Sequence, residues 1–380
     1  MSTRNLDFPQ LRLLLQSVFG FRKEERECTI LIDLPNQRLK DRPPWMDRRR
    51  IAAEWYALLG QHVAELPFAA VNCCAYENVG TNNADLPQAI TLIDSCTRTS
   101  GGTMPKIEPL EGILRRSSVV LAVTELSATA PLKLLARRFS FRGATLPGFT
   151  RPMIPALGLD YEAVNARVML FKTRLDRAER ADLKLSAEGR RFESRFDLRY
   201  RPGHSSGGIL REDGVVGNLP SGEAYIVPYE GEQPGISSFT EGILPVQFKD
   251  EIVLFRLAGN KAVEVLSMGP QSEAQKKQLA EEPAYGNIAE LGIGVLGEWG
   301  IEGVGSTLLD EKLGLHIAFG RSDHFGGTTS PASFRHPGNV VHIDWVYVPS
   351  VQPKIAVETL VLHYHDGTSE ELMEAGRLIV

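Results

Sequence analysis

Two domains of α/β architecture are predicted for this chain by its length of 380 residues, by a helix–strand alternation in its first half, and by a change to short strands with glycine-rich turns in its second. A single hydrophobic core stops growing near ~250–300 residues, so a chain of this length is expected to divide. Its 43% hydrophobic and 23% charged residues show none of the apolar depletion that marks disorder.

Apolar residues recur at helical spacing over residues 11–19, and residues 28–34 then read as a short buried strand. Helix-like 49–65, strand-like 69–75, helix-like 86–96, a helical turn at 110–115 and a strand at 118–124 follow. That order favours a parallel or mixed sheet flanked by helices. Proline- and glycine-rich pieces at 146–155 and 200–208 bracket a helix-like stretch at 161–181. The second piece is the better boundary. A layered α/β domain is therefore expected over 1–205 and a strand-rich α+β domain over 206–380. In the latter, strands are expected at 225–228, 242–246, 251–257, 262–266, 315–319, 340–348, 358–364 and 378–380, with a helix at 271–279.

Charge and composition narrow the partners. A net charge of -5 argues against nucleic acid and against anionic membrane surfaces. The basic run Asp47-Arg48-Arg49-Arg50 reads as a solvated helix end. The apolar stretches 117–123 and 130–136 are cut off by Glu125 and Lys133, too short to span a membrane. The first residues lack the apolar core of a signal peptide. Cys28, Cys73, Cys74 and Cys96 have no metal-finger spacing. They are expected to be reduced thiols in a cytoplasmic protein.

Chemistry-bearing residues concentrate after residue 220. His342 and Asp344 stand two apart on a strand-like segment, so both project from one face while Val341 and Ile343 turn to apolar packing. His316, on a second strand-like segment, would complete a set of two histidines and one carboxylate of the kind that binds zinc, cobalt, manganese or ferrous iron. Glu223 and Glu290 each border glycines, which allow close approach of backbone and ligand. Five donors together carry the metal reading; none carries it alone.

Three other patterns are weaker. Gly203-His-Ser-Ser-Gly207 fits the nucleophile-elbow formula, but a charged turn follows where a helix is required, and it reads as a linker. Gly292-Ile-Gly-Val-Leu-Gly297 fits the dinucleotide fingerprint but follows a helix-like, charged segment. His363 and His365 read as polar residues of a surface strand before the turn Asp366-Gly367. His62, His204 and His336 receive no role.

Leu219-Pro-Ser-Gly-Glu223, Glu290-Leu-Gly-Ile-Gly294, Leu309-Asp-Glu-Lys312, Leu315-His-Ile-Ala-Phe-Gly320 and Val341-His-Ile-Asp344 occur in this order. The series resembles the aminopeptidase T (thermophilic aminopeptidase) family of metallopeptidases, in motif detail over residues 215–345. The resemblance implies metal ligands at Glu223, Glu290, His316, His342 and Asp344 around two divalent ions (zinc, cobalt or manganese). It implies hydrolysis of a short peptide or related small amide by activated water, with Glu290 or His324 moving the proton. Where that family has a tyrosine after the first histidine, this chain has Asp323 or His324. 2,5-Dihydroxypyridine dioxygenases resemble the same scaffold with one iron, so a ring-cleaving dioxygenase is the alternative, and a non-catalytic descendant a third. The resemblance also implies a homodimer, and a site facing the cleft between the domains is expected.

Overall fold

The structure, a computed structural model, describes residues 5–93 and 106–380. Two compact units are present: Met1–Asn165 with Gly208–Ser221, and Ala166–Gly207 with Gly222–Val380.

Among the described residues, the first unit is built on a seven-stranded sheet. Its order is Val216–Asn218, Arg142–Thr145, Ser117–Val123, Glu25–Leu34, Phe68–Glu77, Ala89–Leu92 and Lys106–Pro109. The first five strands run parallel and the last two antiparallel to their neighbours. This is the expected mixed sheet. The central strands are continuous apolar runs, as sheets covered on both faces require. Leu31, Tyr76, Val120 and Ala122 pack with Ile113, Leu132 and Phe139 of the helices Leu110–Arg116 and Thr129–Phe139. Strand alternation turns Ile30, Ile32, Val119 and Leu121 the other way. The helix Pro43–Gln61, with Trp45, Ile51 and Trp55 buried, also lies on these strands.

Several local expectations need correction. The helix expected at 86–96 contains instead the strand Ala89–Leu92, where the β-branched pair Ile90-Thr91 favours extension; residues 94–96 lie outside the described residues. The basic run is not a solvated helix end. Arg48 and Arg49 are buried; Arg48 pairs with Glu125 and donates to the Phe149 carbonyl at 2.8 Å. Cys28 and Cys74 are buried free thiols, but Cys73 is disulfide-bonded, so the cysteines are not uniformly reduced. Cys96 lies outside the described residues.

The second unit contains two antiparallel sheets. The larger has eight strands, in the order Lys261–Val265, Glu251–Ala258, Glu241–Phe248, Arg190–Asp197, Ala178–Ala187, Ile355–Tyr364, Ser369–Glu374 and Arg377–Leu378. The smaller has five: His342–Val346, Leu315–Gly320, Ile288–Gly294, Glu223–Ile226 and His204–Ser206. Aromatic residues join them, with Phe255 5.2 Å from Phe319 and Phe248 4.7 Å from Trp345 between ring centroids. The helix expected at 161–181 ends at Arg177. From Ala181 every second residue (Leu183, Leu185, Ala187) is buried, and this period of two makes the strand. No helix among the described residues is long and apolar enough to cross a membrane.

Candidate metal centre

One face of the five-stranded sheet is polar and the other apolar, because side chains alternate along each strand. Leu291, Ile293, Leu315, Ile317, Phe319 and Trp345 turn toward the packing between sheets. Their neighbours Glu290, Gly292, His316, Ala318, His342 and Asp344 share the opposite face, and Glu223 and Tyr225 join them from the adjacent strand. Antiparallel pairing sets the register: Glu290 faces Ala318, Gly292 faces His316, Ala318 faces Asp344 and Gly320 faces His342. Small residues thus stand opposite each donor and leave space above the sheet. Gly292 is required for this. A Cβ there would lie 2.0 Å from His316 Nε2, so only glycine lets the imidazole lie across its partner strand.

The five expected donors converge in two overlapping groups, Glu223–Glu290–His316 and Glu290–His342–Asp344, each with one ligand atom per residue within 4.8 Å of the others. Glu290 belongs to both. Its Oε1 is 3.1 Å from His316 Nε2, and its Oε2 is 3.4 Å from His342 Nε2. His316 Nε2 is 3.6 Å from Glu223 Oε2, and His342 Nε2 is 3.5 Å from Asp344 Oδ1. His316 therefore does not share a compact triad with His342 and Asp344, as first expected; Glu290 stands between.

The outer contacts suit metal binding. His342 Nδ1 donates to the Arg321 carbonyl at 2.8 Å, and His316 Nδ1 faces the Gly314 carbonyl at 3.4 Å. Backbone carbonyls so placed keep the proton on Nδ1 and turn Nε2 to the cluster, the arrangement usual for metal-binding histidines. Glu223 Oε2 is buried without a hydrogen-bond partner, which is costly unless a cation approaches it. Three carboxylates and two imidazoles fit zinc, cobalt, manganese or iron.

Electrostatics give the same sign. Burial alone would lower the pKa of His316, but the Glu290 hydrogen bond and the charges of Glu290, Glu223 and Asp344 push it up to about 9. His342 is raised well above its usual value, since Asp344 and Glu290 outweigh burial. Glu290 and Asp344 are held below the carboxylate range against burial, by His316 and His342 for the first and chiefly by His342 for the second. A field that holds protons on one buried and one half-buried imidazole would also draw a divalent cation.

Two residues quoted only within a motif prove to belong to this centre. Lys312 is buried, with 1% of its side chain exposed, and pairs with Glu223 and Glu311. Burial, eased by Lys312 but reinforced by Glu223 and Asp344, pushes Glu311 up to about 8. His324 lies outside both donor groups, with its ring 5.3 Å from that of His342. Burial and the charges of His342 and Arg321 push it down to about 4. Asp323 is occupied by an ion pair with Arg321.

The weaker patterns resolve as follows. As expected, Gly292 and Gly294 follow a charged helix, Pro270–Glu281; they lie in a buried antiparallel strand, no parallel βαβ unit follows among the described residues, and the dinucleotide match has no structural basis. The expected linker at His204 is the edge strand of the site sheet, and Ser205 precedes no helix. His204 stacks on Tyr225 at 5.2 Å, and Tyr225 meets Phe325 at 4.8 Å. His363 pairs with Asp182 at 2.9 Å, away from the centre.

No family model and no curated protein matches the sequence. Solved structures do. A 2,5-dihydroxypyridine dioxygenase from Pseudomonas putida KT2440 superposes with a TM-score of 0.58 at 13% identity, over 98% of each chain. Wild-type AmpT, an aminopeptidase from Thermus thermophilus, does so with a TM-score of 0.55 at 15% identity, again over 98% of each chain. The resemblance noted from the motifs is thus borne out as fold: over nearly its whole length the chain has the fold of an aminopeptidase and of a dioxygenase.

Proposed function

We propose that the chain is a metal-dependent hydrolase of aminopeptidase type, acting on the N-terminal residue of a short peptide or on a related small amide. The observation that carries this reading is the position of Glu290, common to both donor groups. A carboxylate placed between two sets of ligands suits a pair of cations better than one.

Glu223, Glu290, His316, His342 and Asp344 would hold the ions, which would supply Lewis acidity to a carbonyl and to the attacking water. The chain's own groups do the rest. Partial burial and the positive charges near His342 and Arg321 push the His324 imidazole toward its neutral form. Its Nδ1 faces Asp323 at 3.7 Å, leaving Nε2 to accept a proton. Lys312 balances Glu223. The rings of Tyr225, Phe325 and His204 pack together, with that of Phe325 5.7 Å from His342.

The alternative, a mononuclear iron dioxygenase, draws support from the shared fold. Elemental analysis together with a screen of aminoacyl anilides separates the two. About two equivalents of zinc, cobalt or manganese and chelator-sensitive anilide cleavage support the hydrolase. One equivalent of iron with oxygen uptake on a dihydroxylated ring would replace it by the dioxygenase.

A further inference from the structure

We propose that Glu230 is a positioning residue for the centre, fixing the loop that carries His324. The inference rests on the hydrolase reading for its catalytic consequence, but its structural basis is separate.

Glu230 follows the strand Glu223–Ile226 and lies in none of the motifs. Its side chain is 5% exposed, and its carboxylate accepts four hydrogen bonds. Ser322 Oγ and Thr328 Oγ1 donate closely, the Thr328 amide donates at 2.6 Å, and Asn287 Nδ2 donates at 2.9 Å. Asn287 also donates to the Gly320 carbonyl at 2.9 Å. Both ends of the turn from Ser322 to Thr328 are thereby tied to one buried carboxylate. The loop closes on itself through the Ser322 amide to the Thr329 carbonyl, 2.9 Å, and the Gly327 amide to the Ser322 carbonyl, 3.1 Å. A Cβ on Gly327 would stand 2.2 Å from Ser322 Oγ and 3.0 Å from Glu230 Oε1.

Two further side chains hold the middle of the turn. Arg201 donates to the Gly326 carbonyl at 2.8 Å, and His204 Nε2 lies 2.8 Å from the Phe325 carbonyl. None of these anchors is made by His324. Its own contacts are the rings of Phe325, at 3.9 Å, and His342, with the approach to Asp323. The imidazole therefore stands beside the metal ligands because the backbone on either side is pinned, and Glu230 is the largest single pin. Every donor on Glu230 needs an acceptor, so glutamine, which presents an NH2 to one of them, is the informative replacement.

The test uses the full-length, metal-loaded protein and its Glu230→Gln, Glu230→Asp, Thr328→Val and His324→Ala variants. For Glu230→Gln, amide exchange over residues 322–329 should accelerate on the order of tenfold or more, and the imidazole NMR signals of His324 should shift. Metal content should not change. On a cleaved anilide, kcat should fall toward that of His324→Ala, KM should hold, and the double variant should be no slower than His324→Ala alone. Thr328→Val should show the same changes in smaller measure, and Glu230→Asp should restore part of them. Unchanged exchange and unshifted His324 signals would overturn the proposal, as would a double variant slowed by the product of the single effects. A wild-type protein without metal or activity would refute the hydrolase reading instead, leaving exchange and NMR to decide the role of Glu230.

Discussion

Gly292→Ala adds one methyl group to the floor of the centre, and the structure sets the size of its effect. The new Cβ would lie 2.0 Å from His316 Nε2, where ordinary contact begins at 3.4 Å. Backbone on both strands is held by the ladder that pairs Gly292 with His316, so the imidazole must move by more than 1 Å. Metal–ligand bonds tolerate about 0.2 Å, and His316 would cease to be a ligand. Disturbing even an outer contact of a metal site costs roughly 10–100-fold in affinity, about 1.4–2.8 kcal/mol, so at least that loss is expected. The assay is competition for zinc against a chromophoric chelator, with circular dichroism as the control for folding. A folded Gly292→Ala protein that binds zinc as tightly as the parent would refute His316 as a ligand and, with it, the reading of the glycine.

Further outcomes follow from the same geometry. Lys312→Met leaves Glu223 and Glu311 buried without their cation, so denaturant unfolding in chelator should show a loss of about 3–5 kcal/mol, partly recovered on adding zinc. His316 has a folded-state pKa of about 9 against an ordinary 6.5; its contribution to the metal-free protein is complete below pH 6.5 and lost as pH rises through 9. Urea midpoints in chelator should fall across that window, and a flat profile would contradict the carboxylate–imidazole contacts. With metal the sense reverses, because protons compete for the ligands: zinc affinity by calorimetry should weaken as pH falls from 9 to 6. His324→Ala should lower kcat on a cleaved anilide by roughly 10²–10⁴-fold, the usual yield of a proton-transfer group, with metal content unchanged.

What could be read from the sequence was governed by the distance over which each residue makes its contacts. His342 and Asp344 were legible because a strand has a period of two, and two residues apart means one face. Glu223, Glu290 and His316 were legible through local motifs, and the helix Pro270–Glu281 ahead of Glu290 was legible from its own spacing. Propensity misled at 178–181, where an alanine- and arginine-rich sequence prefers helix but pairing with the strands Arg190–Asp197 and Ile355–Tyr364 prevails. His204 looked like linker because its strand is three residues long and exists only through its pairing with Glu223–Ile226. Lys312 finds Glu223 89 residues away, and Glu230 finds its partners at 287, 322 and 328. No spacing rule reaches so far; a buried ion pair between distant segments becomes visible only when the fold assembles it.

On the proposed function, five side chains hold divalent metal, with Glu290 shared between two sets of donors. Elemental analysis of the purified protein and of Glu290→Gln, after dialysis against buffer free of metal, tests it most directly. About two equivalents in the parent, and a fall in both sites in the variant, are expected of a shared ligand. A parent protein without bound metal, or a Glu290→Gln protein that keeps its full content, would contradict the claim.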